Sequence, residues 1–252
     1  MNRMYLLFLL ISLNTHAIVI RHDVSDQQYL DAAIKDNSTV TFYGIYQQKE
    51  IVEGTGSLIA NNWIVTAAHV AKYLKKDGKV VFKDSLYKIA QIVIHPLWED
   101  KRFPYDIALV RLSTPVEGAT IAKLYTSNKE TGRIATFVGR GDSGDGRNGI
   151  SAADGKTRLA NNKVESAAGQ WIRFIFDQGE DALPLEGISG PGDSGGPAFI
   201  TVNGELYIIG VSSWQNAETT NWNEARYGVI ENYSRVSYFE KWINKTVAEG
   251  TL

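Results

Sequence analysis

The polarity pattern along the chain is that of many short strands. Runs rich in Val, Ile, Thr, Tyr and Phe alternate with clusters of Gly, Asn, Asp and Pro. The pattern predicts strands at 40–46, 57–59, 63–66, 79–82, 86–94 and 107–112, and again at 134–138, 171–176, 198–202, 206–213 and 227–230. Short strands with frequent turns point to barrels or a sandwich, not to alternating β and α units. Two segments depart from this pattern. Asp26–Ala33 reads as a short surface helix. Near the end of the chain Val236, Phe239, Ile243 and Val247 recur at spacings of three and four, with Trp242 beside them. That periodicity predicts a helix with one apolar face, and Ser234 or Ser237 is its expected N-cap. The most linker-like stretch is 126–132. Residues 140–148, rich in Gly and Asp, lack the EF-hand spacing and are expected to form a flexible surface loop rather than a calcium site.

The first 17 residues follow a different rule. Asn2 and Arg3 precede a nearly unbroken apolar run over 4–13, and Asn14-Thr15-His16-Ala17 ends in a small residue. This reads as a secretory signal peptide, 1–17, too short for a spanning helix. No later apolar run is long enough to cross a bilayer. The expected product is secreted or periplasmic, with no membrane contact once the signal is cleaved. The 252 residues suffice for one large domain or two small ones. A net charge of −2 leaves no basic excess for phosphates, so nucleic acid is not an expected partner. The chain has no cysteine. That excludes disulfides, thiol catalysis and Cys-based zinc sites, and leaves packing to stabilise the fold.

The candidate chemistry centres on Gly192-Asp193-Ser194-Gly195-Gly196-Pro197. Glycines around a serine let backbone approach a substrate closely, and prolines stiffen the flanks. The string also satisfies G-x-S-x-G, the nucleophile elbow of α/β-hydrolases, but in that fold the histidine follows the serine. Here His16, His22, His69 and His95 all precede Ser194, so the available order is His, Asp, Ser. The same order opposes an esterase or lipase. The histidines form no H-E-x-x-H or helical pair, and no metal or other cofactor is expected. Gly141-Asp142-Ser143-Gly144 repeats the core of the serine motif but lacks the second glycine and the proline, so Ser143 reads as a loop serine. Ser194 leads directly into an apolar run, and a strand behind a nucleophile holds it in place. His69 follows Thr66-Ala67-Ala68, small residues that leave room for its ring, whereas His22 and His95 read as structural. Asp106 opens the apolar run 107–112 and supplies a carboxylate.

These blocks resemble the trypsin/chymotrypsin family of serine proteases. The segment from Gly56 to His69 resembles its histidine block, Asp106-Ile107-Ala108-Leu109 its aspartate block, and Gly192 to Pro197 its serine block. The likeness extends over most of the chain after about Thr39. It implies an all-β fold of two packed six-stranded antiparallel barrels with a C-terminal helix. The first barrel, within 18–128, would carry His69 and Asp106; the second, within 129–252, would carry Ser194. It further implies a secreted endopeptidase acting on protein or peptide substrates, a monomer by default, with His69, Asp106 and Ser194 catalytic. The N–H groups of Gly192 and Ser194 would form the oxyanion hole. A non-catalytic or host-protein-binding homologue on the same fold is the alternative. Ser212-Ser213-Trp214 resembles the substrate-binding strand, with Ser213 supporting Asp106. Counting by resemblance puts Ile188 at the floor of the primary pocket, Gln215 on its wall in place of a glycine, and Glu231 near its far wall. Ile188 and Gln215 favour a small or medium apolar residue before the cut. Glu231 would recruit a basic one, unless it faces solvent. Cleavage after Ala17 would free Ile18, whose ammonium would pair with Asp193. Three departures stand out: Val70 replaces the usual cysteine, Gln215 the usual glycine, and Ile20-Arg21 two glycines.

Overall fold

The computed structural model describes residues 18–151, 154–221 and 223–250. The predicted signal peptide lies outside them. Six strands form the first half: β2 (Thr39–Tyr46), β3 (Lys49–Ala60), β4 (Trp63–Thr66), β5 (Lys79–Phe82), β6 (Ser85–Ile94) and β7 (Ala108–Leu112), after the short β1 (Val19–Ile20). They close into an antiparallel barrel in the order β2-β3-β4-β7-β6-β5. Closure leaves no edge of unpaired backbone. Phe42, Leu58, Ile64, Val80, Ile89 and Val110 fill the interior and are buried.

The second half contains β8 (Lys123–Leu124), β9 (Ile134–Gly139), β10 (Gly144–Asp145), β11 (Gly149–Ile150), β12 (Arg158–Lys163), β13 (Ser166–Ala168), β14 (Trp171–Ile175), β15 (Gly187–Ile188), β16 (Pro197–Val202), β17 (Glu205–Asn216) and β18 (Ile230–Arg235). Its main sheet runs β12-β9-β16-β17-β18-β14-β13, with β8 added beside β17. It curls but does not close by a continuous ladder, so the second of the two expected six-stranded barrels is an open eight-stranded sheet. A side chain spans the gap. Asn162 on β12 donates from Nδ2 to the Ile175 carbonyl at 2.9 Å and the Gly187 carbonyl at 3.1 Å.

The expected division at 128/129 is crossed at both ends. β1 pairs with β10 and β15 of the second half, and the helix α1 (Asp26–Ala33) packs on β12. The terminal helix α3 (Val236–Glu249) instead sends Val236, Phe239 and Ile243 into the core of the first. Its cap is not a serine. Arg235 occupies the cap position without a side-chain bond, because both hydroxyls are used elsewhere. Ser234 donates to the Asp106 carbonyl at 2.6 Å and Ser237 to Glu130 at 2.7 Å. Glu130 also takes two bonds from Arg235, at 2.8 and 2.9 Å, so 126–132 is anchored rather than a free linker. The loop at 140–148 is likewise anchored, since β10 pairs with β1.

Other differences trace to polarity. β3 begins at Lys49 rather than 57, as a half-exposed arm paired with β2 beyond the core. β12 was not predicted, because its buried face carries Arg158 and Asn162. The predicted strand at 227–230 lies further on, as β18, whose buried residues include Glu231 and Asn232.

Candidate active site

The cleft between the halves gathers side chains from three places. Thr66 ends β4, and the one-turn helix α2 (Ala68–Ala71) that follows carries His69. Asp106 precedes β7. It is presented by a tight turn in which Ile107 N–H donates to the Tyr105 carbonyl at 2.8 Å, with Tyr105 at φ +61°. That conformation is uncommon for a bulky residue, and both halves hold it. Gln170 Oε1 accepts the Tyr105 N–H at 2.6 Å, and the Tyr105 ring stacks on His95 at 5.1 Å. His95 is buried against Phe239 and Trp242, and burial lowers its pKa.

Asp106 is 2% exposed, and its side chain accepts three bonds. Oδ1 takes the His69 backbone N–H at 2.9 Å. Oδ2 takes His69 Nδ1–H at 2.7 Å and the Ser213 hydroxyl at 2.5 Å. A carboxylate only accepts, so Nδ1 carries the hydrogen and the neutral ring keeps its lone pair at Nε2. Nε2 has no hydrogen-bond partner among the described residues. Ser213 reaches Asp106 because β17 is irregular there. The register passes from Ser212↔Tyr233 to Trp214↔Asn232, leaving Ser213 as the extra residue of a bulge.

The serine loop is tied to the same place. Thr55 N–H donates to the Ser194 carbonyl at 2.9 Å, and the Thr55 hydroxyl to the Gly192 carbonyl at 3.0 Å. Gly195 N–H donates to the Ser212 carbonyl at 2.9 Å. Gly195, at φ +78°, admits no side chain: a Cβ would lie 2.1 Å from Thr66 Oγ1 and 2.9 Å from Ala67 N. The loop that carries Ser194 therefore touches the strand end that leads into His69. Ser194 is half-buried, and its Oγ has no hydrogen-bond partner among the described residues. Gly192 holds φ +87°. The N–H groups of Gly192 and Ser194 likewise find no acceptor there.

Asp193 points the other way, into the interior, and is fully buried. It accepts N–H groups of Ile18 at 2.7 Å, Gly141 at 2.7 Å and Gly190 at 2.9 Å. Burial outweighs these donors and pushes its carboxyl up to about 6. Ile18 is itself buried, with φ +50°.

A cavity of about 340 Å³ opens beside Ser194. Ser189, Ser212, Ser213, Trp214, Gln215, Ala225 and Glu231 line it, and Phe103 stacks on Trp214 at 4.3 Å. Ile188 is not in the lining. It is fully buried in a separate apolar cluster with Val19, Phe176 and Val229, because β15 pairs there with β1. The expected floor is therefore replaced by the next residue, Ser189. Glu231 does not face solvent. It is 1% exposed and accepts the Ser189 N–H at 3.1 Å and, over a short distance, the Ser189 hydroxyl.

The decoy groups lie apart. Ser143 packs beside β10, its carbonyl bound to Ser151 N–H at 2.9 Å. His22 engages both ring nitrogens, with Tyr227 Oη and Arg147 Nη2, each at 2.7 Å. Among the described residues no cluster of His, Asp and Glu is placed to hold a metal ion.

The trypsin family model matches residues 39–243, through all three blocks. The chain belongs to the trypsin family. It is similar to chymotrypsin-like elastase family member 1 of Macaca fascicularis, at 28% identity over 77% of this chain and 79% of that protein. It is also 28% identical to complement C1s subcomponent of Rattus norvegicus, over 80% of this chain but only 33% of that protein. Vitamin K-dependent protein C of Mus musculus is 25% identical over 90% of this chain and 54% of that protein. Sequence reasoning missed Ser189, Ser234, Thr55 and Thr66 within this trypsin-family cleft. Thr55 and Ser234 act through hydrogen bonds to residues far away in the chain, and Thr66 through one to the neighbouring strand, none of which leaves a periodic signal. Ser189 was one residue from the position counted.

Proposed function

We propose that this protein is a secreted serine endopeptidase that hydrolyses peptide bonds through an acyl-enzyme. The reading rests above all on one observation: a buried Asp106 carboxylate holds His69 by ring and backbone, beside the loop that presents Ser194. Ser194 Oγ attacks the substrate carbonyl while His69 Nε2 takes its proton. The proton passes to the leaving amine, and water then releases the acyl group by the same route reversed. Asp106 keeps the useful tautomer and stabilises the imidazolium. The unpartnered N–H groups of Gly192 and Ser194 receive the developing oxyanion. No cofactor enters this chemistry.

Processing after Ala17 belongs to the same proposal. The φ of +50° at Ile18 is rarely adopted by a β-branched residue, and that angle exists only while residue 17 is attached. Cleavage relieves it and sets an ammonium, in place of an amide, against Asp193. The new charge would stabilise the carboxylate that burial disfavours, and so order the loop between Gly190 and Ser194. Export then serves as activation.

A phosphonylating reagent tests the assignment. It should label Ser194 and abolish turnover of a denatured protein substrate. Ser194→Ala should lower turnover by about 10⁴–10⁶-fold with the fold intact, and Ser143→Ala should leave it nearly unchanged. Label on Ser143, or none at all on folded processed protein, would overturn the proposal.

A further inference from the structure

The base of the cleft contains an arrangement that serves no step of the reaction above. Gln215 and Glu231 are direct cross-strand partners in the β17–β18 ladder. Such pairs leave a sheet on the same face with their side chains in reach of each other. The Gln215 amide is clamped at both ends. Nε2 donates to the Ser189 carbonyl at 2.8 Å, and Oε1 accepts the Ala225 N–H at 3.0 Å. Ser189 and Ala225 belong to separate segments of the lining, so the amide ties them together. Ala225 holds φ +59°, an unusual conformation for alanine, and its N–H is spent on Gln215. The Glu231 carboxyl lies on the same face as this amide, as its direct partner across the ladder, and the amide favours its charged form.

Glu231 has no cationic partner among the described residues. Its facing groups are Ser189 on the segment before the nucleophile, Ser212 and Gln215 on β17, Tyr233 on its own strand, and the buried Asp193 carboxyl. An isolated buried carboxyl is costly, and a glutamine would make similar hydrogen bonds at lower cost. A carboxyl of this kind at the base of a cleft is a candidate binding position.

We propose that Gln215 is the gate of the primary pocket: its clamped amide covers Glu231, confines the pocket to small uncharged side chains, and masks a carboxyl that, once ionised, can receive a lysine, arginine or amidinium group. This inference rests on the reading of the cleft as the substrate cleft. A guanidinium or amidinium matches a carboxylate with two parallel hydrogen bonds, but only if the space held by the Gln215 amide is vacated.

The test uses benzamidine, a planar aryl amidinium, with the processed protein and a calorimetric readout that needs no turnover. At about pH 9, Gln215→Gly and Gln215→Ala should bind benzamidine about 10–100-fold more tightly than the unsubstituted protein, as a charge-assisted bond implies. Adding Glu231→Gln to either variant should erase the gain. A peptide library should show cleavage after Ala, Gly, Ser or Val, turning to Lys or Arg in Gln215→Gly. The gate is overturned if both folded variants bind benzamidine no better, if the gain survives Glu231→Gln, or if the unsubstituted enzyme already cuts after Lys or Arg. Failure of the endopeptidase reading looks different: Ser194 takes no label and no library member is cut, while the benzamidine result still judges the pocket.

Discussion

The closed barrel and the curled sheet face each other across the cleft, and they bury polar groups in opposite ways. In the barrel, Asp106 is the one buried acid among the described residues of β2 to β7 and their connections, and it is saturated by donors. In the sheet half, Glu130, Glu186, Asp193 and Glu231 are all buried, as is Arg158. Glu130 and Arg158 are paired, the latter with Asp26 and Asp154. The other three acids rest on N–H and hydroxyl donors, and burial pushes their carboxyls up to about 7, 6 and 8 respectively. A ladder that closes on itself tolerates an apolar interior and fixes geometry by packing. An open sheet is held at its seam and base by polar side chains, Asn162 among them, and so carries groups whose charge responds to pH. The barrel side thus holds His69 in one tautomer, and the sheet side carries the acids whose ionisation burial shifts.

This contrast can be broken in three places. The largest effect is expected on the barrel side. Asp106→Asn preserves shape but removes the acceptor that fixes Nδ1–H, and turnover should fall by about 10⁴-fold with little change in thermal stability. A fall below about tenfold would remove the barrel side from the mechanism. The next concerns the sheet side. One extra residue before Ile18 in the processed protein keeps an amide against Asp193. Losing one partner of a buried ion pair costs about 3–5 kcal/mol, so kcat/KM should drop by about 10²–10⁴-fold. Unchanged activity would sink activation by export.

The smallest effect is on stability. Glu231 has a folded value of about 8 against an ordinary 4.5, so the folded protein holds a proton that the unfolded chain releases. Its contribution is intact below about pH 4.5 and is lost as pH rises through about 8, because the unfolded chain then binds fewer protons. Glu231→Gln should remove that slope and raise the unfolding free energy near pH 9 by on the order of 2 kcal/mol. Urea midpoints at about pH 5 and pH 9 measure it. Equal slopes in both proteins would show that the Glu231 carboxyl is not masked in the way described.

What was legible in the sequence had local causes. The strands 63–66 and 79–82 announce themselves as short runs of β-branched and aromatic residues, and α3 by its apolar stripe at spacings of three and four, because each segment must present apolar side chains to a core. The order of His69, Asp106 and Ser194 and the count of four histidines were enough to discard the α/β-hydrolase reading. The rest depended on which distant groups meet. Whether Ser189 or Ile188 lines the cleft depends on the pairing of β15 with β1, far away in the chain. That Ser213 turns to Asp106 while Gln215 turns to Glu231 depends on a single-residue bulge, which reverses the facing of every residue beyond it. Glu231 shows the limit most plainly. As a letter it is a charged residue in a polar stretch. Only the closing of β17, Ser189 and Ala225 around it takes the carboxyl out of water, and burial is a property of neighbours, which no residue carries by itself.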